Sequence, residues 1–201
     1  MQLSSWILED IEDIAKDETK EYLALLQSRT SRLEKLLDDL LVYSRVGRQQ
    51  GEIKSVDVKR LVEEVFNLLD PPADFTLQID GELPTFSTLS TPLESVFRNL
   101  ISNAIKHHDM PNGRITISAI ENITDYEFTV KNNGPGIKTE HYEQIFEVFK
   151  TLKPRDQVEG SGMGLAIIKK ILDYQGTDIK VLSGDERDVS FIFTWPKNIV
   201  E

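Results

Sequence analysis

The chain has 201 residues, 39% of them hydrophobic, so it can form one or two domains with an apolar core. Its net charge of −11 argues against nucleic acid or an anionic membrane as a partner, because both select for clustered lysine and arginine. The absence of cysteine excludes a disulfide framework, a zinc–thiolate site and a thiol nucleophile. We therefore expect a cytoplasmic location, with the parent protein either soluble or anchored in a membrane.

Two helices are predicted at the N-terminus. Leu3 to Ala15 carries apolar residues on one side, and Thr19 to Val46 repeats them at alternating steps of three and four. We interpret them as an antiparallel hairpin. Because Leu36 and Leu41 widen the second apolar face beyond one partner, self-association into a four-helix bundle would cover it. The alternative is that the hairpin packs on the rest of its own chain.

A polar break from Gly47 to Gly51 divides the chain into predicted domains 1–47 and 52–201. The second domain has mixed helix and strand patterns, which give an α+β fold overall, with a mixed sheet covered by helices as a two-layer α/β sandwich. Its predicted elements are a strand at 53–56, a helix from an Asp57 cap to Leu69, a strand at 75–79, a helix from Thr91 to about His107, strands at 114–120 and 126–131, short helices at 140–149 and 163–174, and a strand pair at 178–182 and 189–195.

A glycine-rich loop before the 163–174 helix is the first functional motif. In Glu159 to Leu165, glycines occupy every second position and an apolar helical run follows. Glycine lets the backbone approach a ligand, and the N–H groups at a helix start point at whatever lies there. The loop is a candidate phosphate cradle, although a GxGxG string alone is weak evidence.

Two further motifs strengthen this interpretation. Asn132 to Ile137 forms a glycine turn at the end of a predicted strand. In the helix before it, Asn99 and Asn103 are four residues apart, so both carboxamides lie on one face with Lys106 close beside them. Neutral oxygens and one cation suit a magnesium-bound polyphosphate.

Taken together, the motifs resemble the ATP-binding domain of sensor histidine kinases, within the wider gyrase, chaperone and mismatch-repair ATPase superfamily. The order matches: an asparagine helix, a glycine turn, a Phe-x-x-Phe stretch from Phe146 to Phe149, and a second glycine loop. The Lys-His-His-Asp sequence at 106–109 resembles one bacterial subgroup. The resemblance covers residues 18–201.

The resemblance implies ATP and Mg²⁺ as ligands. Asn103 would ligate the metal, Asn99 would lie near the phosphates, Lys106 would pair with phosphate oxygens, and His107 would touch ribose or phosphate. The remaining nucleotide-binding residues implied by the motifs are Asn132, Gly134, Gly136, Ile137, Lys153, Arg155, Gly160, Ser161, Gly162, Met163, Gly164 and Leu165.

A nucleotide-covering lid is implied between the two glycine motifs. Residues 150–156 contain three cations near the expected γ-phosphate, and the loop should be mobile without nucleotide. We expect Phe146 and Phe149 to anchor this lid by burial. We expect His141 to be a surface residue.

The sequence departs from the family pattern at two points. The phosphoacceptor histidine belongs in the first helix, but no histidine precedes His107, so the chain is either a fragment that begins after that position or a degenerate kinase. In addition, Asn132 stands where the family usually has an aspartate that accepts the adenine amine. An amide can flip and donate to a carbonyl, so we expect softer discrimination between ATP and GTP here.

The implied reaction is phosphoryl transfer from Mg·ATP to a histidine on the hairpin, and then to an aspartate of a response regulator. The histidine is not in this chain, so we do not expect it to autophosphorylate alone. Glu94 lies too early in its helix to activate water, so efficient hydrolysis is not expected. The alternative is a non-catalytic, nucleotide-sensing dimer that regulates a partner.

Overall fold

The computed structural model describes residues 16–47, 52–152, 161–184 and 187–197. The helices in these ranges are α1 (Asp17–Arg45), α2 (Val58–Leu68), α3 (Ser90–Lys106) and α4 (Gly164–Tyr174). The strands are β1 (Ile53–Asp57), β2 (Thr76–Asp80), β3 (Thr85–Leu89), β4 (Arg114–Glu121), β5 (Asp125–Pro135), β6 (Ile179–Ser183) and β7 (Arg187–Pro196).

Helix α1 is the long N-terminal helix that the apolar repeat predicts. It runs for 29 residues without a buried residue, and Gly47 follows it with a φ of +83°, a conformation that favours glycine. Its exposed apolar side chains are Tyr22, Leu25, Leu26, Leu33, Leu37, Leu40, Leu41 and Val42. The first helix of the predicted hairpin, Leu3 to Ala15, lies outside the described residues. Among the helices that are described, none is long and apolar enough to cross a membrane.

The main sheet has five strands in the order β2-β4-β5-β7-β6, with β2 and β4 parallel and the other pairs antiparallel. This confirms the predicted mixed sheet. Strands β1 and β3 form a separate antiparallel pair. Strand β3 is absent from the sequence prediction. The helix that follows is confirmed, but α3 begins at Ser90 with Leu89 as its cap residue, one residue before the predicted start at Thr91.

Helices α2, α3 and α4 share one hydrophobic core with the sheet. Buried residues alternate along β7, as expected for a strand with one face toward helices. The rings of Phe97, Phe128 and Phe193 lie 5.3 to 5.5 Å apart between centroids and fasten α3 to β5 and β7. The buried Trp195 indole donates to the Thr88 hydroxyl at 2.7 Å and joins the main sheet to the small one.

The predicted helix from Glu140 to Phe149 is wrong. The segment instead contains two short 3₁₀ turns, Thr139–His141 and Gln144–Phe146. Phe146 packs partly against the core, but Phe149 has a φ of +65° and is 44% exposed, so it does not anchor the following loop by burial.

Candidate functional site

The two asparagines of α3 lie beside the first turn of α4. The Asn99 Nδ2 group donates to the Ser95 carbonyl at 2.8 Å, which leaves Oδ1 directed away from the helix backbone. A Cβ atom at Gly164 would lie 2.9 Å from Asn99 Oδ1 and 3.8 Å from Asn103 Oδ1. Both carboxamide oxygens therefore meet the helix start, and glycine is what permits the close approach.

The loop that enters α4 is held in a tight shape. The Ser161 hydroxyl accepts a hydrogen bond from the Met163 amide at 3.1 Å. Gly162 has a φ of +73°, and a Cβ atom there would lie 2.9 Å from the Lys150 carbonyl oxygen. The first turn of α4, whose N–H groups have no acceptor within the helix and whose dipole end is positive, lies beside the α3 asparagines, and this combination attracts anions.

The end of β5 contains a β-bulge. The pairing with β7 shifts between Asn132 and Pro135, so the strand continues four residues beyond its predicted end at Lys131. Inside the bulge, the Gly134 amide donates to Asn132 Oδ1 at 2.9 Å, and Asn132 is only 8% exposed. Bulges aim side chains away from their regular direction and are common next to functional sites.

A network of polar residues outside the cavity wall holds this bulge in place. Arg187 donates to the Asn133 carbonyl from Nε at 3.0 Å and from Nη2 at 2.9 Å, and it pairs with Asp109 at 2.8 Å. The Arg187 hydrogen bond holds the pKa of Asp109 below its ordinary value. His108 Nε2 lies 3.0 Å from Asn133 Oδ1, and the Arg114 amide donates to the same oxygen. Sequence reasoning missed this network, because its members are up to 78 residues apart.

A cavity of about 470 Å³ opens between α3, the β5 bulge and the start of α4. This volume is within the usual range for small-molecule sites. The predicted site residues in its wall are Asn99, Asn103, Lys106, His107, Asn132, Gly136, Ile137, Ser161, Gly162, Gly164 and Leu165. The three sequence motifs therefore converge on one cavity.

Some predicted site residues lie elsewhere. Gly134 is buried behind Asn132, and its amide orients that side chain. Met163 is fully buried in the core, so its side chain supports the loop and does not line the cavity. Lys153, Arg155 and Gly160 lie outside the described residues.

The wall also contains residues that sequence reasoning did not assign to the site. Lys35 and Asp39 come from α1. His141, expected on the surface, lines the cavity with 34% of its side chain exposed. Its Nδ1 atom is buried and lacks a hydrogen-bond partner in the part of the chain that the structure describes. No local sequence signal marks these residues, because the fold brings them together over long distances.

Helix α1 is fastened to α4 near the cavity. The Lys170 ammonium donates to the Tyr43 carbonyl at 2.7 Å and lies 4.0 Å from the centroid of the Tyr43 ring. This contact places a cation against one of the last carbonyls of α1, where the helix dipole is negative. Gly47 packs on the ring of Tyr174, and a Cβ atom there would lie 2.8 Å from it.

The family of the chain follows from its sequence match. Residues 88–199 match the family described as histidine kinase-, DNA gyrase B- and HSP90-like ATPase, and the chain belongs to this family. Its nucleotide-binding domain is of the histidine kinase type, as the resemblance in the motifs implies.

The chain is similar to individual proteins over most of its length. Cyanobacterial phytochrome B of Nostoc sp. is 35% identical over 196 residues, which is 95% of this chain and 26% of the relative. The histidine kinase ThkA, in a crystal structure with the response regulator protein TrrA, is 26% identical with a TM-score of 0.68 over 98% of this chain and 57% of ThkA. Full-length ShkA, crystallised with AMPPNP, shares the fold at a TM-score of 0.73 and 23% identity, over 94% of this chain and 41% of ShkA. The chain spans about a quarter of the length of the first curated relatives, at 26%, 24% and 24%.

Proposed function

We propose that this chain is the phosphoryl-donating part of a sensor histidine kinase. It would bind Mg·ATP in the 470 Å³ cavity and pass the γ-phosphate to a histidine outside these 201 residues, for relay to a response-regulator aspartate. The observation that carries the proposal is the meeting of the α3 asparagine oxygens with the first turn of α4 at one wall of this cavity.

The donor set fits a magnesium ion carried in by the nucleotide. Mg²⁺ prefers oxygen ligands and is usually held by one or two protein groups together with phosphates and water. The Asn103 carboxamide oxygen supplies such a ligand, and Asn99 stands one turn away on the same face of α3. Bound there, the ion would neutralise phosphate charge.

Positive charge at the same wall would hold the phosphates. Lys106 and Lys150 line the cavity, and Lys153 and Arg155 follow Lys150 in the sequence. Phosphoryl transfer depends mainly on positioning and charge stabilisation, which these cations and the α4 amides would provide.

The position of Glu94 supports transfer to a protein acceptor over hydrolysis. Water activation needs a general base at the phosphates. Glu94 forms an ion pair with Arg98 at 3.7 Å and is not among the wall residues.

The partners follow from α1 and from the relatives. The exposed leucines of α1 would be covered by a second copy of the chain, which gives a homodimer. ThkA has been crystallised with a response regulator protein, and we propose a partner of the same class here. Because ATP and such regulators are cytoplasmic, we place the domain in the cytoplasm.

The test is the loss of magnesium-dependent binding when Asn103 is replaced. We expect Asn103→Ala to weaken Mg·ATP binding by at least about tenfold, because the carboxamide oxygen is lost from the metal's coordination shell. Calorimetry with and without Mg²⁺ measures this effect. Asn67→Ala, at an exposed helical asparagine of α2 outside the cavity, is the matched control and should leave binding unchanged.

Phosphate transfer is tested by joining a histidine-bearing helical segment of a related kinase to residue 16. Acid-labile phosphorylation from γ-labelled ATP supports the proposal. If ATP binds but the segment stays unlabelled, the nucleotide-sensing alternative gains support. Absence of ATP binding to the intact, folded protein would contradict both functions.

A further inference from the structure

The orientation of the Asn132 amide is fixed by the bulge that contains it. Of the two arms of a carboxamide, only the oxygen can accept a hydrogen bond, so the atom 2.9 Å from the Gly134 amide nitrogen must be Oδ1. The Nδ2 group is the other arm of the same planar carboxamide. Because Asn132 lines the cavity, this arm is a hydrogen-bond donor available to a ligand.

The surrounding network opposes a flip of this amide. Arg187 holds the Asn133 carbonyl with two hydrogen bonds, while the Arg114 amide and His108 hold the Asn133 side chain. The backbone at Gly134 is therefore fixed, and its N–H group stays directed at Asn132. Turning the amide over would set two donors against each other and leave a buried N–H group unpaired.

The neighbours of Asn132 form a subsite for a flat, apolar ring. Asn132 pairs with Val189 in the sheet, and Val189 and Phe191 lie two residues apart on the same face of β7. Both line the cavity, together with Ile137 and Ala104. An apolar wall with one oriented polar group is typical of a site that recognises a heterocyclic base, whereas the cations and the α4 amides mark the phosphate end.

We propose that this subsite binds a 6-oxopurine base, namely guanine or hypoxanthine, at least as well as it binds adenine. The inference rests on the proposed function, since it concerns the base of the same triphosphate. Position 6 of adenine is an amine, which donates hydrogen bonds and would face the Nδ2 donor. Position 6 of guanine and hypoxanthine is a carbonyl, which accepts from it. An aspartate at this position could bind the Gly134 amide with one oxygen and the adenine amine with the other.

The experiment measures the binding of ATP, GTP and ITP, each with Mg²⁺, by calorimetry on the full chain. ITP shares the 6-carbonyl and the N1–H group of GTP but lacks its 2-amino group, so the comparison of ITP with GTP separates the effect of the 2-amino group from that of the 6-oxo edge. We expect GTP and ITP to bind at least as tightly as ATP. In Asn132→Asp, we expect the ratio of affinities to shift toward ATP by at least about tenfold, the effect of replacing a mismatched contact by a charge-assisted hydrogen bond.

The variant Asn67→Asp is the control. It makes the same chemical change and adds the same charge, but its side chain is exposed on α2 and does not line the cavity. Its nucleotide ratios should equal those of the unchanged protein. A melting curve for each variant confirms that it is folded.

The outcomes separate the two proposals. Binding of GTP and ITP at least as tight as that of ATP, with a shift in Asn132→Asp alone, supports the assignment of Asn132. A preference of the unchanged protein for ATP, or an equal shift in both variants, overturns that assignment and leaves the proposed function standing. Failure of all three triphosphates to bind overturns the proposed function, and the base assignment with it.

Discussion

Gly162 shows how one residue without a side chain shapes the site. Its φ of +73° disfavours other residues, and a Cβ atom would approach the Lys150 carbonyl oxygen to 2.9 Å and the Phe149 carbonyl carbon to 3.0 Å. Backbone atoms cannot move aside as a flexible side chain can. The loop before α4, and its contact with the backbone of Phe149 and Lys150, therefore depend on glycine at this position.

We predict that Gly162→Ala destabilises the protein and weakens nucleotide binding by at least about tenfold, because the clash displaces the loop that enters α4. Gly81→Ala is the matched control. Gly81 has a φ of +80°, but nothing lies within 4 Å of its Cβ position. The control should lose only about 1 kcal/mol of unfolding free energy, through backbone strain, and should keep its affinity. Equal losses of affinity in the two variants would show that the clash is unimportant.

Of the site residues, those whose relative position depends only on helix periodicity could be predicted from the sequence. Asn99 and Asn103 share a helix face because four residues make about one turn, and no other part of the chain is needed to know it. The inward position of His141 and the exposure of Phe149 depend on packing between distant segments. The donor orientation of Asn132 depends on a bulge whose register is set by β7. These features could not be read from local spacing.

Among the elements, α1 and α4 are joined by a polar contact that Lys170 makes with Tyr43. Lys170→Met keeps the apolar stem but removes the charge that binds the Tyr43 carbonyl and ring. We expect the free energy that holds α1 in place to fall by about 1 kcal/mol, the usual scale for a partly exposed charged hydrogen bond with a cation–π contact.

Amide hydrogen exchange in the last turns of α1 measures this change and should become several-fold faster. Lys59→Met, at an exposed lysine of α2, is the control and should leave the exchange of α1 unchanged. If α1 exchanges equally in both variants, Lys170 is not what fastens the helix.

Sequence patterns predicted the elements that depend on local contacts and missed one that depends on a distant partner. Asp57 was correctly predicted as a helix cap, since its side chain accepts from the Arg60 amide at 3.1 Å within one turn. Strand β3 was missed because its partner β1 lies about 30 residues earlier, and its short run carries no strong alternation. With β3 unrecognised, the start of α3 was placed one residue late.

In the molecule as a whole, α1 presents an apolar face that the described part of its own chain does not cover. Leu33 and Leu37 are 61% and 62% exposed, and Leu26 and Leu40 extend the same surface. Such a contiguous exposed surface is typical of an interface. A second copy of α1 could bury it in a helical bundle.

We predict that the double variant Leu33→Glu, Leu37→Glu has the mass of a single chain in solution and not that of a dimer. In a dimer, each new glutamate would be buried in the bundle opposite the glutamates of the second chain, and burying such unpaired like charges is costly. Light scattering coupled to size-exclusion chromatography measures the mass. Leu68→Glu, at a leucine of α2 that is 75% exposed, is the control and should remain dimeric. A single-chain mass for the unchanged protein would refute the dimer.

Because Lys35 and Asp39 belong to the wall of the cavity, the position of α1 and the binding of a ligand in the cavity are coupled. Any free energy that a ligand gains from these two side chains disappears when the helix moves away, and thermodynamic linkage requires the same amount to be added to the stability of the helix when the ligand is present. A measurement of how tightly α1 is docked therefore also reports whether the cavity is occupied.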